Sequence, residues 1–144
     1  MKKTFFTLTT FCLLNALQSN CSDGGIPIPS QEQFTRANDR AFTMQLKALH
    51  DGDLDPNKQL HSGGTFLHCA TIDIAKTGSP VGLHFLKALI AKKADLNATA
   101  TFSLNGKQKK TGTALQLAQA MLKNQPTCTS IATIITILKQ AAQS

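Results

Sequence analysis

Four histidines, His50, His61, His68 and His84, are the residues best suited to proton transfer or metal ligation. No two of them stand at i, i+4, and none lies beside a carboxylate in a ligand spacing, so no metal or general-base site is read from them. Asp51-Gly52-Asp53-Leu54-Asp55 opens like a calcium loop but fails it, because Pro56 stands where the loop needs Gly and Ser62 where it needs a bidentate Glu. No Gly-rich phosphate loop, G-x-S-x-G or HExxH is present. The four cysteines, Cys12, Cys21, Cys69 and Cys128, show no zinc or disulfide spacing; Cys69 and Cys128 read as small apolar core residues. The residues therefore predict no enzyme, no metal and no cofactor. A small hydrolase would require a pocket uniting two of the histidines.

The elements that must position these groups begin with a targeting segment. Lys2 and Lys3 precede an uncharged run from Phe5 to Leu17, the pattern of a signal peptide over residues 1–20, of bacterial type in its Met-Lys-Lys opening. Cleavage after Ala16 or after Ser19 fits small-residue preferences; the competing reading is a buried N-terminal helix. Leu17-Gln18-Ser19-Asn20-Cys21 also approaches a lipoprotein site, although Leu sits at −4 and Asn at −1, so Cys21 is the lipidation candidate of an alternative, membrane-anchored structural protein. Residues 21–29 form a flexible lead-in and 30–144 a single domain. The 144 residues carry a formal charge of +7 with a pI near 9.5. No helix carries a basic stripe with base-reading side chains, so nucleic acid is not an expected partner despite that charge. No apolar run reaches the roughly 18 residues of a membrane span. Export to the periplasm or beyond is the predicted fate, as a monomer, with membrane contact only if Cys21 is acylated.

Ser30 with Gln33 makes a capping box at the head of a helix over 30–50, and Phe34, Ala37, Ala41, Met44, Ala48 and Leu49 follow at helical spacing as its apolar stripe. Sliding the sequence over itself reveals repetition. Gly64-Thr65-Phe66-Leu67 falls on Gly112-Thr113-Ala114-Leu115 at an offset of 48, and Leu46-Lys47-Ala48-Leu49 falls on Leu86-Lys87-Ala88-Leu89 at 40. Asp55-Pro56-Asn57 meets Asp95-Leu96-Asn97 at that second offset.

At these residues the chain resembles the ankyrin repeat family. Thr65-Phe66-Leu67-His68-Cys69-Ala70 is similar to the family's Thr-Pro-Leu-His-x-Ala, and Lys93-Ala94-Asp95-Leu96-Asn97-Ala98 to its Gly-Ala-Asp-Val-Asn-Ala. Phe66 and Ala114 replace the helix-starting Pro, Lys93 replaces a Gly, and the spacing exceeds the family's 33 residues. The resemblance implies an all-α, ankyrin-like helical solenoid: two helix pairs (65–77 with 80–93, and 113–124 with 127–141), the N-terminal helix, and finger loops at 55–64 and 98–111. It implies a non-catalytic module binding a protein partner through its fingers and concave face, with His68 structural.

The second finger reads as a β-hairpin turning at Asn105-Gly106. The candidate partner-binding residues are Gln59, Leu60 and His61 in the first finger, and Phe102, Leu104, Lys107, Lys109 and Lys110 in the second. The alternative for the lysines is that they only keep an edge strand soluble. Leu67, Leu86, Leu89, Leu115, Ile134 and Ile137 are the expected core.

Overall fold

A computed structural model of the chain describes residues 30–61, 63–104 and 108–143. The expected leader over 1–20, the lead-in with Cys21, and the turn holding Lys107 lie outside the described residues. The described part is mostly helical: α1 (Gln31–Asp51), α2 (Phe66–Thr77), α3 (Pro80–Ala91), α4 (Ala114–Asn124) and α5 (Thr129–Gln143), with one antiparallel pair, β1 (Ala100–Leu104) and β2 (Gln108–Gly112), between α3 and α4.

Local chemistry sets where the helices begin and end. Ser30 Oγ accepts the Gln33 amide at 3.3 Å while Gln33 Oε1 accepts the Ser30 amide at 3.0 Å, so two orphan donors of α1 are satisfied reciprocally. Ser79 starts α3 by accepting the Gly82 amide at 2.9 Å, with Pro80 as the first helical residue. Helix α3 ends at Ala91 rather than at 93, because Lys92 and Lys93 form the closing turn and the Ala94 amide returns to Leu89 O at 3.0 Å. Lys93 takes φ 61° there, where the end of α1 uses Gly52 at φ 83°.

Helices α1 and α3 run parallel, in step with the 40-residue offset. Ser79 Oγ donates to Asp39 Oδ1, and Phe42 packs over Gly82. A Cβ on Gly82 would lie 2.8 Å from Phe42 Cε2 and 2.6 Å from Ile74 Cγ1, so only glycine permits this approach. The Phe42 ring also meets Phe85 at 5.8 Å, and Phe66 meets Phe85 edge-on at 6.5 Å, tying α1, α2 and α3 together.

This packing corrects the expected stripe of α1. The buried residues are Asn38, Phe42 and Leu49, whereas Ala37 is exposed and Met44 is 61% exposed. Rotating the helix to bury one phenylalanine ring removes more apolar area from water than burying alanines does. Asn38 is carried inside by that rotation, and its Nδ2 has no hydrogen bond among the described residues.

Leu67, Leu86, Leu89 and Ile134 are fully buried as expected. Leu115 and Ile137 are only partly buried, at the margin of the core. They belong to α4 and α5, beyond which no further described element lies. Cys69 and Cys128 are likewise only partly buried.

Candidate functional site

Two turns of matching geometry lead into the two fingers. Asp55 Oδ1 accepts the Asn57 amide at 2.9 Å, and Asp95 Oδ1 accepts the Asn97 amide at 2.9 Å. Such Asx turns arise because a short carboxylate reaches its own backbone two residues on. The turns are joined: Asn57 Oδ1 accepts the Asp95 amide at 2.6 Å, and Asn57 Nδ2 donates to Lys93 O at 3.3 Å.

The first finger then closes at once, the Leu60 amide donating to Gly64 O at 2.7 Å and the Gly63 amide to Leu60 O at 2.8 Å. Leu60 packs partly against the core, so its side chain has a structural duty. Gln59 and His61 are exposed.

The second finger is the β1–β2 hairpin, over 100–112 rather than 98–111. Its pairs run from Ala100 with Gly112 to Leu104 with Gln108. Paired residues share a face and the faces alternate along each strand. Thr101 and Thr111 therefore meet, their hydroxyls 3.0 Å apart. Phe102 pairs with Lys110 and shares its face, which is also the face of Ala100. Lys109, one residue away, lies on the Thr101–Thr111 face. The two lysines of this strand thus lie on opposite faces. Both are exposed and Phe102 is half-buried.

The hairpin root is held to the rest of the fold. A Cβ on Gly64 would stand 3.3 Å from Ala100 Cβ, so the Ala100 face closes onto the root of the first finger. His68 adds a second tie. Its Nε2 lies 3.2 Å from Gly112 O, and a carbonyl only accepts, so Nε2 carries the proton. Nδ1 is then the acceptor for the Thr65 hydroxyl at 3.0 Å and the Thr65 amide at 3.4 Å. Forty-eight residues on, the Thr113 amide donates to Gln116 Oε1 at 2.9 Å, so Gln116 occupies the place of His68 at that offset. Burial pushes the His68 pKa below 6.5, while its bond to Gly112 pulls in the opposite direction.

The remaining histidines do not join it. His50 ends α1, His61 is in the first finger, and His84 is on α3; all three are exposed. Among the described residues no group of three or more His, Cys, Asp or Glu is placed to hold a metal. A cavity of about 90 Å³ between Leu96, Thr113, Leu115 and Leu138 has no titratable side chain in its lining. No described helix is long and apolar enough to cross a membrane.

Charge is segregated along the chain, a signal that total net charge conceals. Residues 30–73 hold four Lys and Arg against six Asp and Glu. Residues 74–144 hold nine lysines, no arginine, and one carboxylate, Asp95. Of these lysines, Lys87, Lys92, Lys93, Lys109, Lys110, Lys123 and Lys139 are exposed and without an ion pair among the described residues. The ion pairs of Arg36 with Glu32 and of Lys47 with Asp51 are both within α1.

The chain matches no protein family, no curated protein and no solved structure.

Proposed function

We propose that the chain is an exported, non-catalytic protein-binding module of ankyrin repeat type, a short helical solenoid that meets its partner through its fingers and the adjoining face of α2 and α4. The observation that carries this reading is the recurrence of the same polar devices at fixed steps. The Thr65–His68 and Thr113–Gln116 caps lie 48 residues apart, and the Asx turns at Asp55 and Asp95 lie 40 apart. Stacked units of this sort form an extended surface rather than an enclosed pocket, which suits protein recognition better than catalysis. The hairpin supports the assignment, because its exposed side chains have no packing duty to meet.

Site-specific photo-crosslinking tests it. A benzophenone amino acid at Phe102 should capture a protein partner in the native source cell, and the same probe at His84 on α3 should not. Equal capture from both positions, or none from Phe102, defeats the reading. Intact mass spectrometry of native fractions tests export. A chain beginning at Leu17 or Asn20 in the exported fraction supports a free module. An acylated chain beginning at Cys21 in the membrane fraction identifies the lipoprotein alternative, and an uncleaved cytoplasmic chain overturns export.

A further inference from the structure

We infer that the segment this module binds is an acidic, extended polypeptide carrying an apolar side chain, seated on the Phe102–Lys110 face of the hairpin; this rests on the protein-binding reading above. The first support is charge complementarity. From residue 74 onward nine lysines face one carboxylate, and Asp95 Oδ1 is engaged by the Asn97 amide. Seven of the lysines are exposed and unpaired among the described residues, on α3, the turn after it, β2, α4 and α5. A carboxylate-rich chain approaching this half of the surface is drawn in from a Debye length away, and a basic one is repelled.

The second support is geometric. At the hairpin root the Ala100 face is closed by Gly64. The first finger turns back there, through the Leu60–Gly64 pair. Phe102 and Lys110 lie two residues further out on that same face, roughly 7 Å along the strand. This face thus joins a half-buried aromatic ring to an exposed cation, an anchor for one apolar side chain beside a contact for a carboxylate.

Other anionic partners fit less well. Both arginines, Arg36 and Arg40, are on α1, so the lysine-rich half lacks the planar donors that read bases, and Trp and Tyr are absent as stacking platforms. A membrane meets one plane, whereas Lys109 and Lys110 lie on opposite faces of the hairpin.

Fluorescence anisotropy with the full chain decides the matter. The probe is a labelled peptide of about a dozen alternating Glu and Leu or Ala residues, with its Lys counterpart as control. The Glu peptide should bind and the Lys peptide should not. Binding should weaken about tenfold or more in K109E/K110E and in F102A, weaken further with added salt, and persist in R40E. Circular-dichroism melting of each variant confirms folding, and Lys110→Gln replaces the double reversal if the latter disturbs the hairpin.

Equal binding of both peptides, indifference to the hairpin variants, or no binding of the Glu peptide overturns the inference. Preference for phosphatidylglycerol vesicles or for oligouridylate overturns it as well. Concentration-dependent self-association abolished by K109E/K110E would make a second copy the occupant and overturn the inference of an extended acidic segment. A partner crosslinked from Phe102 whose docking segment is neutral or basic defeats this inference and leaves the protein-binding reading intact.

Discussion

The turns at Asp55 and Asp95 use the same hydrogen bond, an aspartate oxygen accepting the amide two residues on, yet the fingers that follow them serve different ends. The first finger is stitched into its neighbour: Asn57 reaches Asp95 and Lys93, Leu60 enters the core margin, and the chain turns back at Gly63. The second is fixed at its root, by Ala100 against Gly64 and by His68 on Gly112 O, and continues as a two-stranded hairpin with Lys109 and Lys110 exposed. The first finger takes part in packing, and the second is the one to which we assign recognition. The difference teaches that a repeated turn does not carry a repeated role. What decides is the length of chain before the next helix and whether a neighbour is there to receive its side chains.

Leu86→Asp should break both fingers at once, because Leu86 is fully buried between the elements that support them. A carboxylate there has no partner, and the expected loss is more than about 4 kcal/mol, read as the absence of a cooperative melt.

His68→Ala should strike the hairpin root selectively. It leaves Gly112 O and the Thr65 donors unpaired, at about 2–3 kcal/mol in chemical denaturation. The same residue gives the comparison a pH dependence. Its folded pKa lies below 6.5, so the unfolded chain takes up the proton first as pH falls. The stabilisation is fully present above pH 6.5 and is lost as pH falls through the folded value. Urea titrations across that range should show this slope in the wild type and lack it in His68→Gln; an equal slope in both would assign it to another group.

Asn57→Ala removes the bridge between the turns and should cost about 1 kcal/mol, with hydrogen exchange rising at Asp95. Smallest in stability is Phe102→Ala combined with Lys109→Glu, expected to cost less than about 1 kcal/mol while abolishing partner capture. If the hairpin change melted the protein and Asn57→Ala were silent, the roles of the two fingers would have to be exchanged.

Much of this arrangement was legible in the chain because it rests on residues that act locally. Ser30 with Gln33 announces a helix start, and that cap is made as its spacing predicts. The hairpin followed from alternation about Asn105-Gly106, though its first strand begins two residues later than expected. What could not be read was rotation. Counting alanines as apolar placed Ala37 and Met44 inward and passed over Phe42, because the space that receives its ring is made by Gly82, 40 residues away. The division of Lys109 from Lys110 follows from strand parity and was available beforehand, as was the lysine-rich second half. The role of Leu60 was not, since only the tertiary fold shows that a finger leucine meets the core.

Lys93 bears a consequence of its own. A lysine at φ 61° pays about 1 kcal/mol of backbone strain that glycine would avoid, partly offset because glycine has more freedom to lose on folding. Replacing it with glycine would relieve the strain and remove one of the nine lysines of residues 74–144. Heat tolerance and electrostatic reach are therefore opposed at a single residue, and the molecule as it stands is weighted toward its field.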